Sequence, residues 1–383
     1  MRSVPNILVY RNRLLPYSET FILSQMEGLK SFRPFYLGAS PWREGPSLKT
    51  PVERTRFINT GKDIVRESLF KLSDWVPPDV LSWARNLRFA LVHAHFAPDG
   101  LVALSIAKAL RLPLVVSLHG SDLTTKDAWV WRKKGSWLHK LYTLRRGKLL
   151  KEAAAFIVPS RYMWELALKK GFPKEKLYLV PHGVPLEAFE YQEAHYEPYH
   201  IVYVGRLISL KGLPYLIEAL AKLQPRFPEL TLTVIGGGPE EHHFKKLAWE
   251  RLGGAARFLG PQPPEVVREY LKKAHLFSMP SVTQPSGQTE AFGLVYVEAQ
   301  AMGVPVVAFA VGGVPEVVEH GETGFLAQAG NTEELSQYIA VLFEDPKLRE
   351  KMSIAARRRV ETLFDLNKNV GALEKVYQQI TSV

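Results

Sequence analysis

The regular alternation of short apolar runs with helical patterns is the feature that most constrains the fold of this chain. Runs rich in β-branched residues, such as 114–118, 200–204 and 231–235, are each followed by a turn and then by a helical pattern. Because parallel strands need a crossover between them, this alternation is typical of parallel α/β sheets. A chain of 383 residues also exceeds the usual size of one domain. We therefore predict an α/β protein with two parallel-sheet domains.

A polar segment at residues 190–198 marks the predicted linker between the two domains. We place the N-terminal domain at residues 1–196 and the second domain at residues 197–362. Residues 363–383 are expected to form a C-terminal helix that packs back on the N-terminal domain. The stretch 39–56 is rich in proline, glycine and charge, and we predict that it is a loop.

Composition excludes several kinds of protein and of site. The chain has no cysteine, which excludes disulfides and thiolate metal sites. No apolar run approaches the roughly 18 residues that a membrane span needs. The N-terminus leads directly into a predicted strand at residues 7–10, without the apolar segment of a signal peptide. With a mean hydropathy of −0.08, the chain is expected to be a globular cytoplasmic protein.

The positive charge of the chain is concentrated in its first half. The formal net charge is +11, and residues 1–196 hold 30 Lys and Arg against 17 Asp and Glu. Residues 126–151 contain nine basic residues and one acidic residue, with Trp129, Trp131 and Trp137 among them. Basic residues interleaved with tryptophan are typical of segments that lie on an anionic membrane, although a solvated basic face has the same pattern. The stretch therefore predicts either peripheral attachment to the inner face of the plasma membrane or a plain charged surface.

Two carboxylates eight positions apart, Glu290 and Glu298, flank an Ala-Phe-Gly segment and the beginning of an apolar run. On one continuous helix, eight residues rise about 12 Å, and the two side chains lie on nearly the same face. If Glu290 instead lies in a loop and Gly293 opens the helix, the N–H groups near Gly293 and Leu294 form an anion site between the carboxylates. That second arrangement suits a ligand with hydroxyl groups on both sides of a phosphate, which is the shape of a nucleotide-sugar.

Two cations follow a predicted strand in the same half of the chain. Arg206 and Lys211 are five positions apart across a glycine-backed turn. Such a pair fits a diphosphate, although two solvent-facing cations would have the same pattern. Gly237 lies in a glycine triplet, which is a weaker indication because such triplets often only close a turn. The glycines match neither a Walker loop nor a dinucleotide-binding fingerprint.

Three histidines, His93, His95 and His119, lie at the C-terminal ends of predicted strands. Because these ends share one edge of a parallel sheet, we expect the three side chains to converge. No carboxylate or third ligand has the spacing of a metal site, so we predict that no metal is bound. A buried, hydrogen-bonded role is predicted for His93. His119 is a candidate for ligand contact, because Gly120 lets the backbone approach a ligand at a strand tip.

The two carboxylates, the two cations and the His-Gly-Ser-Asp motif at 119–122 together resemble the signature of the retaining glycosyltransferases of family four. The resemblance covers nearly the whole chain. It implies the GT-B fold, in which two Rossmann-like domains face each other across a cleft. The chain is similar in particular to bacterial exopolysaccharide enzymes of the colanic-acid, amylovoran and heterocyst-envelope type.

The resemblance implies a role for each of these positions. Arg206 and Lys211 would bind the donor diphosphate and offset the charge of the leaving group. Glu298 would accept the ribose hydroxyl groups, Glu290 would hold the transferred sugar, and His119 would face the sugar ring from the other domain. The remaining implied donor contacts are Gly237, the amides of Phe292, Gly293 and Leu294, and, at the uracil edge, the backbone of Arg257, Phe258 and Leu259.

The chain departs from the family in its N-terminal loop. The usual Gly-Gly segment is replaced by Pro-Tyr-Ser-Glu-Thr at residues 16–20. We assign the ligand contact of this loop to Ser18 and Thr20, whose hydroxyl groups could also cap the helix that follows.

The implied reaction is the transfer of a hexose, with UDP-glucose as the first expectation, to a lipid-linked or oligosaccharide acceptor in exopolysaccharide synthesis. No cofactor is expected, because the cation pair can stabilise the leaving group without a metal. Retaining hydrolases hold two carboxylates about 5–5.5 Å apart, which does not suit Glu290 and Glu298. A front-face substitution, in which the leaving phosphate takes the acceptor proton, is therefore favoured.

Two other classes of function stay open at this point. A nucleotide-sugar epimerase, or a phosphorylase with pyridoxal phosphate on a lysine, would use the same architecture. A nucleic-acid-binding protein is the non-enzymatic alternative, prompted by a pI of about 9.5. No nucleic-acid-binding module is visible in the sequence, so nucleic acid is not an expected partner.

Overall fold

The computed structural model describes residues 4–16, 19–41, 50–59, 61, 63–132, 137–191 and 196–381. The chain divides into two compact units. The first unit comprises residues 1–183 together with 366–383, and the second comprises residues 184–365.

Parallel strands and flanking helices make up the first unit. Its strands are β1 (Asn6–Leu14), β2 (Arg33–Pro41), β3 (Thr55–Phe57), β4 (Phe89–His95), β5 (Leu114–Ser117), β6 (Ala155–Val158) and β7 (Leu177–Leu179). Its first eight helices are α1 (Thr20–Glu27), α2 (Ile64–Leu72), α3 (Pro78–Leu87), α4 (Ala97–Leu110), α5 (Ser121–Thr124), α6 (Asp127–Arg132), α7 (Trp137–Glu152) and α8 (Arg161–Lys169). The described strands form one parallel sheet in the order β3-β2-β1-β4-β5-β6-β7.

The second unit repeats this scheme. Its strands are β8 (His200–Val204), β9 (Thr231–Ile235), β10 (Ala256–Phe258), β11 (Leu276–Phe277), β12 (Val306–Phe309) and β13 (Gly324–Ala327). Its helices are α9 (Leu213–Leu223), α10 (Glu241–Leu252), α11 (Pro264–Lys272), α12 (Leu294–Ala301), α13 (Val314–Val317), α14 (Thr332–Glu344) and α15 (Pro346–Leu363). Six described strands form a parallel sheet in the order β10-β9-β8-β11-β12-β13. The prediction of an α/β protein with two Rossmann-like parallel sheets is confirmed.

The last helix, α16 (Leu366–Thr381), belongs to the first unit. Leu373 and Tyr377 lie in the same apolar core as β1. The Glu374 carboxylate accepts the backbone N–H groups of Lys30 and Ser31 over 2.7 and 2.5 Å. These contacts tie the end of the chain to the loop before β2.

The division between the units differs from the predicted boundary at 196/197. Val184 forms a parallel bridge with Asp365, and its N–H donates to Phe364 O over 2.9 Å. This backbone pairing places the polar segment that follows Val184 in the second unit. The division at 365/366 lies three residues beyond the predicted one.

The loop prediction for residues 39–56 is wrong at both ends. β2 continues to Pro41, and β3 begins at Thr55. β3 is a three-residue strand at the edge of the sheet, where it pairs with β2. The local sequence pattern does not predict this strand, because it depends on hydrogen bonds to its neighbour. Residues 42–49 lie outside the described part of the chain.

Both sheets reverse their strand order once, between β1 and β4 in the first unit and between β8 and β11 in the second. In open parallel sheets, ligands bind beyond the carboxyl ends of the strands at such a switch point. We therefore expect ligand-binding residues in the segments that follow these four strands. None of the helices in the described ranges is long and apolar enough to cross a membrane.

Candidate functional site

A glycine in the left-handed region sets the beginning of α12. Gly293 has φ +84°, and the helix begins with the next residue, Leu294. A Cβ at Gly293 would lie 2.3 Å from the ring of Tyr296, so the turn requires glycine. No side chain in the described part of the chain caps this helix end, and its first N–H groups are open to an anion. Of the two predicted arrangements, the one with Glu290 in the loop is confirmed.

Lys211 and Glu290 meet although 79 positions separate them. Lys211 Nζ lies 2.5 Å from Glu290 Oε2, and Ser281 Oγ donates to the same oxygen over 3.2 Å. Lys211 ends the 3-10 turn Ser209–Lys211 that follows β8, and Ser281 lies shortly after β11. The three side chains thus converge at the switch point of the second sheet, and both charged groups are largely buried.

Glu298 lies on α12 and is half-buried. Burial raises the pKa of Glu298 to about 7, and the positive charge of Arg268 opposes only part of this effect. The described residues supply no hydrogen-bond partner to its carboxyl group. A carboxyl group with a raised pKa and without a partner is typical of a position that receives a ligand.

The turn after β8 packs directly on the glycine triplet after β9. Gly236 has φ +135°, and a Cβ at this position would lie 2.0 Å from Gly205 O. Leu207 N donates to Gly237 O over 2.9 Å. The triplet therefore allows a close approach of two loops, and Gly237 supports the turn that carries Arg206. The Arg206 side chain itself is exposed at the carboxyl edge of the sheet.

The side chain of Glu240 holds the turn that carries Lys211. Glu240 Oε1 accepts the Ser209 N–H over 2.6 Å, and the Ser209 hydroxyl group donates to Glu240 Oε2. Glu240 was not among the site residues predicted from the sequence. Its position two residues after the glycine triplet, at the carboxyl edge of the sheet, could have indicated that it belongs to the site.

Residues 257–259 lie at the edge strand of the second sheet. Arg257 pairs with Thr233, and Leu259 N donates to Val234 O over 3.0 Å. The exposed Arg257 side chain lines a groove of about 480 Å³ that also includes His200 at the beginning of β8. The Arg257 side chain therefore lies toward the N-terminal ends of the strands, whereas Lys211 and Glu290 lie beyond the C-terminal ends of strands.

The other predicted donor contacts lie around the start of α12. Phe292 is buried beside Phe364, with the ring centroids 5.6 Å apart, and Leu294 is partly buried against the core of the second unit. The backbone N–H of Gly313 donates to Glu290 O over 2.9 Å, which fixes the loop from the other side.

Four histidine rings stand in a row at the carboxyl edge of the first sheet. The ring centroids of His93 and His95 are 4.4 Å apart, those of His95 and His119 are 5.2 Å apart, and those of His119 and His182 are 5.4 Å apart. The predicted convergence of the first three is confirmed. His182 was missed, although it follows β7 at the same edge of the sheet.

His93 forms the buried end of this row. Its Nδ1 lies 2.5 Å from the Tyr377 hydroxyl group, and its Nε2 lies 2.8 Å from Ser117 Oγ. Burial lowers the pKa of His93 to about 3, so the ring is neutral at pH 7. The predicted buried, hydrogen-bonded role of His93 is confirmed.

His95 and His119 share one hydrogen bond and each leave one nitrogen unsatisfied. His95 Nδ1 and His119 Nε2 are 3.0 Å apart. His95 Nε2 and His119 Nδ1 are buried without a partner in the described structure. Burial lowers the pKa of both rings well below the ordinary value, and the neighbouring histidines and Arg11 act in the same direction. The pair therefore presents neutral imidazole groups at pH 7.

Arg11 forms a clamp with Glu19, Asp99 and Phe96 at the switch point of the first sheet. This clamp was not predicted from the sequence. Arg11 donates to Glu19 Oε1 over 2.7 Å and to Asp99 Oδ2 over 2.5 Å, and its guanidinium carbon lies 4.3 Å from the ring centroid of Phe96. The clamp joins the C-terminal half of β1, the N-terminal loop and the first turn of α4.

The expectation that Thr20 caps α1 is wrong. Thr20 is the first residue of the helix, and Glu19 occupies the N-cap position. The Glu19 carboxylate binds Arg11 instead of the N–H groups of the helix, because the clamp offers it a charged partner. Ser18 lies outside the described residues. Within the described ranges, no group of three or more His, Cys, Asp or Glu side chains is placed to hold a metal ion.

Comparison with known proteins covers both units. Residues 41–188 match the family model described as Glycosyltransferase Family 4, and residues 187–359 match the one described as Glycosyl transferases group 1. The chain is 28% identical to the amylovoran biosynthesis glycosyltransferase AmsK of Erwinia amylovora, over 75% of this chain and 69% of the relative. It is 29% identical to the putative colanic acid biosynthesis glycosyltransferase WcaL of Escherichia coli, over 72% of this chain and 67% of the relative.

Solved structures show the same fold at lower identity. Sucrose-phosphate synthase from Thermosynechococcus elongatus superposes with a TM-score of 0.77 at 21% identity, over 99% of each chain. HepE from Anabaena, solved in complex with UDP and glucose, superposes with a TM-score of 0.75 at 23% identity, over 98% of this chain and 99% of that one.

Proposed function

Since the chain belongs to the family of glycosyltransferases that these two models describe, we propose that it transfers a hexose from a UDP-sugar to a glycan or lipid-linked acceptor, with retention of configuration. The observation that carries the proposal is the uncapped start of α12 beside Lys211 and Glu290. A helix N-terminus and an ammonium group suit a diphosphate, and a carboxylate suits sugar hydroxyl groups. These three groups lie together at a switch point of the sheet.

Lys211 can bind the diphosphate while it keeps its ion pair with Glu290. An ammonium group has three N–H donors, and the ion pair with Glu290 uses one of them. The exposed Arg206 offers a second, forked donor set at the same edge of the sheet. We assign both cations to the diphosphate, where they stabilise the negative charge that develops as UDP leaves.

We assign the remaining donor contacts to the positions that the family resemblance implies. Glu298 accepts the ribose hydroxyl groups, because its carboxyl group lacks a protein partner. Glu290 and the amides of Phe292, Gly293 and Leu294 hold the sugar, and the backbone from Arg257 to Leu259 binds the uracil edge. In the first unit, His119 contacts the sugar as a neutral imidazole.

The proposed mechanism is a front-face substitution that uses no protein nucleophile. We assign Glu290 to the sugar hydroxyl groups, and Lys211 and Ser281 hold its carboxylate through one oxygen, Oε2. The bond between the anomeric carbon and the phosphate oxygen breaks while the bond to the acceptor oxygen forms on the same face. The proton of the acceptor hydroxyl group passes to the departing phosphate. The cations and the helix N-terminus bind UDP as its charge grows.

The choice of donor and acceptor is supported by the similar proteins. HepE is solved with UDP and with UDP-glucose, which supports UDP-glucose as the first donor to test. AmsK and WcaL carry names that refer to amylovoran and colanic acid biosynthesis. We therefore propose an acceptor within exopolysaccharide synthesis.

The test is calorimetric titration with UDP-, GDP- and ADP-hexoses, followed by product analysis with the donor that binds. We expect UDP-sugars to bind, slow release of UDP without an acceptor, and an α-linked product from an α-linked donor. Arg206→Ala should weaken UDP binding at least tenfold, whereas Lys246→Ala, an exposed cation on α10, should not change it. Failure of every UDP-sugar to bind, or an inverted product, would overturn the proposal.

A further inference from the structure

A set of exposed apolar side chains lies on α2 and on the turn that follows it. Ile64 is 75% exposed and Val65 is 70% exposed, and Leu69, Leu72 and Trp75 also lie open to solvent. Val65, Leu69 and Leu72 are spaced four and three residues apart, so they lie on one face of the helix. Single exposed apolar residues are ordinary, but five within twelve positions form a patch that calls for a partner.

A second exposed set lies on α6 and α7. It contains Trp129, Trp131, Trp137 and Leu144, of which Leu144 is 70% exposed. Exposed basic residues accompany it, namely Lys126, Arg132, Arg145 and Lys151. Arg146 does not belong to this set, because its guanidinium group binds Asp127 over 3.0 Å and joins α7 to α6. Lys133 and Lys134 lie outside the described residues.

Two contacts join α6, α7 and the turn after α2 into one surface. Lys140 Nζ lies 6.0 Å from the ring centroid of Trp131, which links α7 to α6. Lys148 Nζ lies 3.1 Å from Asp74 Oδ1, and Asp74 directly precedes Trp75. Lys148 is four residues beyond Leu144 on the same helix face. The apolar face of α2 therefore continues into the tryptophan-rich and basic face of α6 and α7.

We propose that residues 64–75 of α2 and its following turn, together with α6 and α7, form one docking surface for an anionic lipid bilayer. The exposed Ile, Val, Leu and Trp side chains enter the boundary between headgroups and acyl chains, and the Lys and Arg side chains bind lipid phosphate groups. Charge complementarity selects an anionic bilayer over a neutral one, since Lys126, Arg132, Arg145 and Lys151 are exposed beside the apolar side chains, whereas Asp127 of the same segment is paired with Arg146. All of these residues belong to the first unit, so the inference does not depend on the proposed donor site.

Co-sedimentation with vesicles of phosphatidylglycerol and phosphatidylcholine tests this surface. We expect the full-length protein to bind these vesicles at low salt and to ignore pure phosphatidylcholine vesicles. The triple variant Arg132→Glu, Arg145→Glu, Lys151→Glu should bind at least about a hundredfold more weakly, because the loss of each basic residue costs a factor of about five at an anionic surface and each new carboxylate adds repulsion. The matched control is Lys246→Glu, Lys347→Glu, Lys351→Glu, which removes the same charge from exposed positions of the second unit and should bind like wild type.

A second variant separates the apolar contribution from the charge. Leu69→Ser, Leu72→Ser, Trp75→Ser should weaken binding at least tenfold while its unfolding transition stays at the wild-type position. Trp249→Ser, a 72% exposed tryptophan of the second unit, is its control. Equal binding of wild type and the Arg/Lys triple variant would overturn the proposal, and equal binding of the Leu/Trp variant would remove α2 from the surface. A change of sedimentation coefficient in these variants without a change in vesicle binding would identify a second copy of the chain as the partner and reject the bilayer.

Discussion

Lys211 and Glu290 are charged side chains that the fold removes from most of the solvent, and each serves as the counter-ion of the other. Breaking a largely buried pair on one side leaves an uncompensated charge, which costs more than removing both partners. Lys211→Met should therefore lower the free energy of unfolding by about 1–3 kcal/mol. The double variant Lys211→Met, Glu290→Gln should recover most of that loss.

UDP affinity separates the stabilising role of this pair from its role in binding. Both the single and the double variant lack the ammonium group, so both should bind UDP at least tenfold more weakly in calorimetry. Stability is measured by urea unfolding of the same samples. Equal stability of the single and double variants would contradict the idea that the pair is energetically coupled.

The carboxyl group of Glu298 makes the stability of the second unit depend on pH. Its pKa is raised by burial from 4.5 to about 7, so the folded protein holds this proton at pH values where the unfolded chain has released it. The contribution of this group to the free energy of unfolding therefore falls as pH rises from 4.5 to 7, and the loss is complete above pH 7. Glu298→Gln removes this loss. The variant should exceed wild type by on the order of 1–3 kcal/mol at pH 8 and match it at pH 4.5.

Urea unfolding at pH 4.5, 6, 7 and 8 measures this difference. Glu229→Gln, which alters an exposed carboxylate of the same unit, serves as the control and should follow the wild-type profile. A Glu298→Gln variant that is less stable than wild type at pH 8 would show that the carboxylate has a charged partner in the folded protein.

At the scale of elements, the start of α12 depends on one backbone conformation. Gly293 and Gly321 have nearly the same positive φ, +84° and +80°. An added Cβ at Gly293 would strike the Tyr296 ring, whereas one at Gly321 would have no heavy atom within 4 Å. Gly321→Ala should cost about 1 kcal/mol from the backbone alone. Gly293→Ala should cost roughly 2–4 kcal/mol, because the collision adds to the backbone term.

The same two variants test the ligand role of the helix start. Thermal unfolding gives their stabilities, and calorimetry gives their affinities for UDP. Gly293→Ala should also weaken UDP binding, since it displaces the first N–H groups of α12, whereas Gly321→Ala should leave UDP binding unchanged. If Gly293→Ala is destabilised but binds UDP normally, the helix start is only a structural turn.

At the scale of the whole molecule, both units place their polar side chains at the carboxyl edges of parallel sheets. In the second unit, Lys211 and the exposed Arg206 provide positive charge at that edge. We therefore predict that transfer from a UDP-sugar proceeds at an unchanged rate with excess EDTA, measured as UDP release with acceptor present. Activity that disappears with the chelator and returns with Mg²⁺ or Mn²⁺ would contradict this prediction.

The sequence by itself determined the class of fold and the kinds of side chain at the site. Buried parallel strands need continuous apolar runs, so β8 and β9 were predicted with the bounds that the structure has. Gly293 was recognised as a possible helix start, because glycine readily adopts the left-handed conformation that a tight turn before a helix needs. Edge strand β3 escaped prediction, because a short strand at an edge depends on its neighbour more than on local pattern. The C-terminal end of β2 was predicted as loop, because glycine, proline and charge are frequent in the segment that follows it.

Only the tertiary structure decided which of these residues meet. The ion pair between Lys211 and Glu290 requires β8 and β11 to be neighbours, and strand order is a long-range property that no local pattern contains. The addition of His182 to the histidine row and the bridge from Val184 to Asp365 have the same origin. Local periodicity predicts which face of a helix or strand is buried. Which other element covers that face is decided by packing across the whole unit.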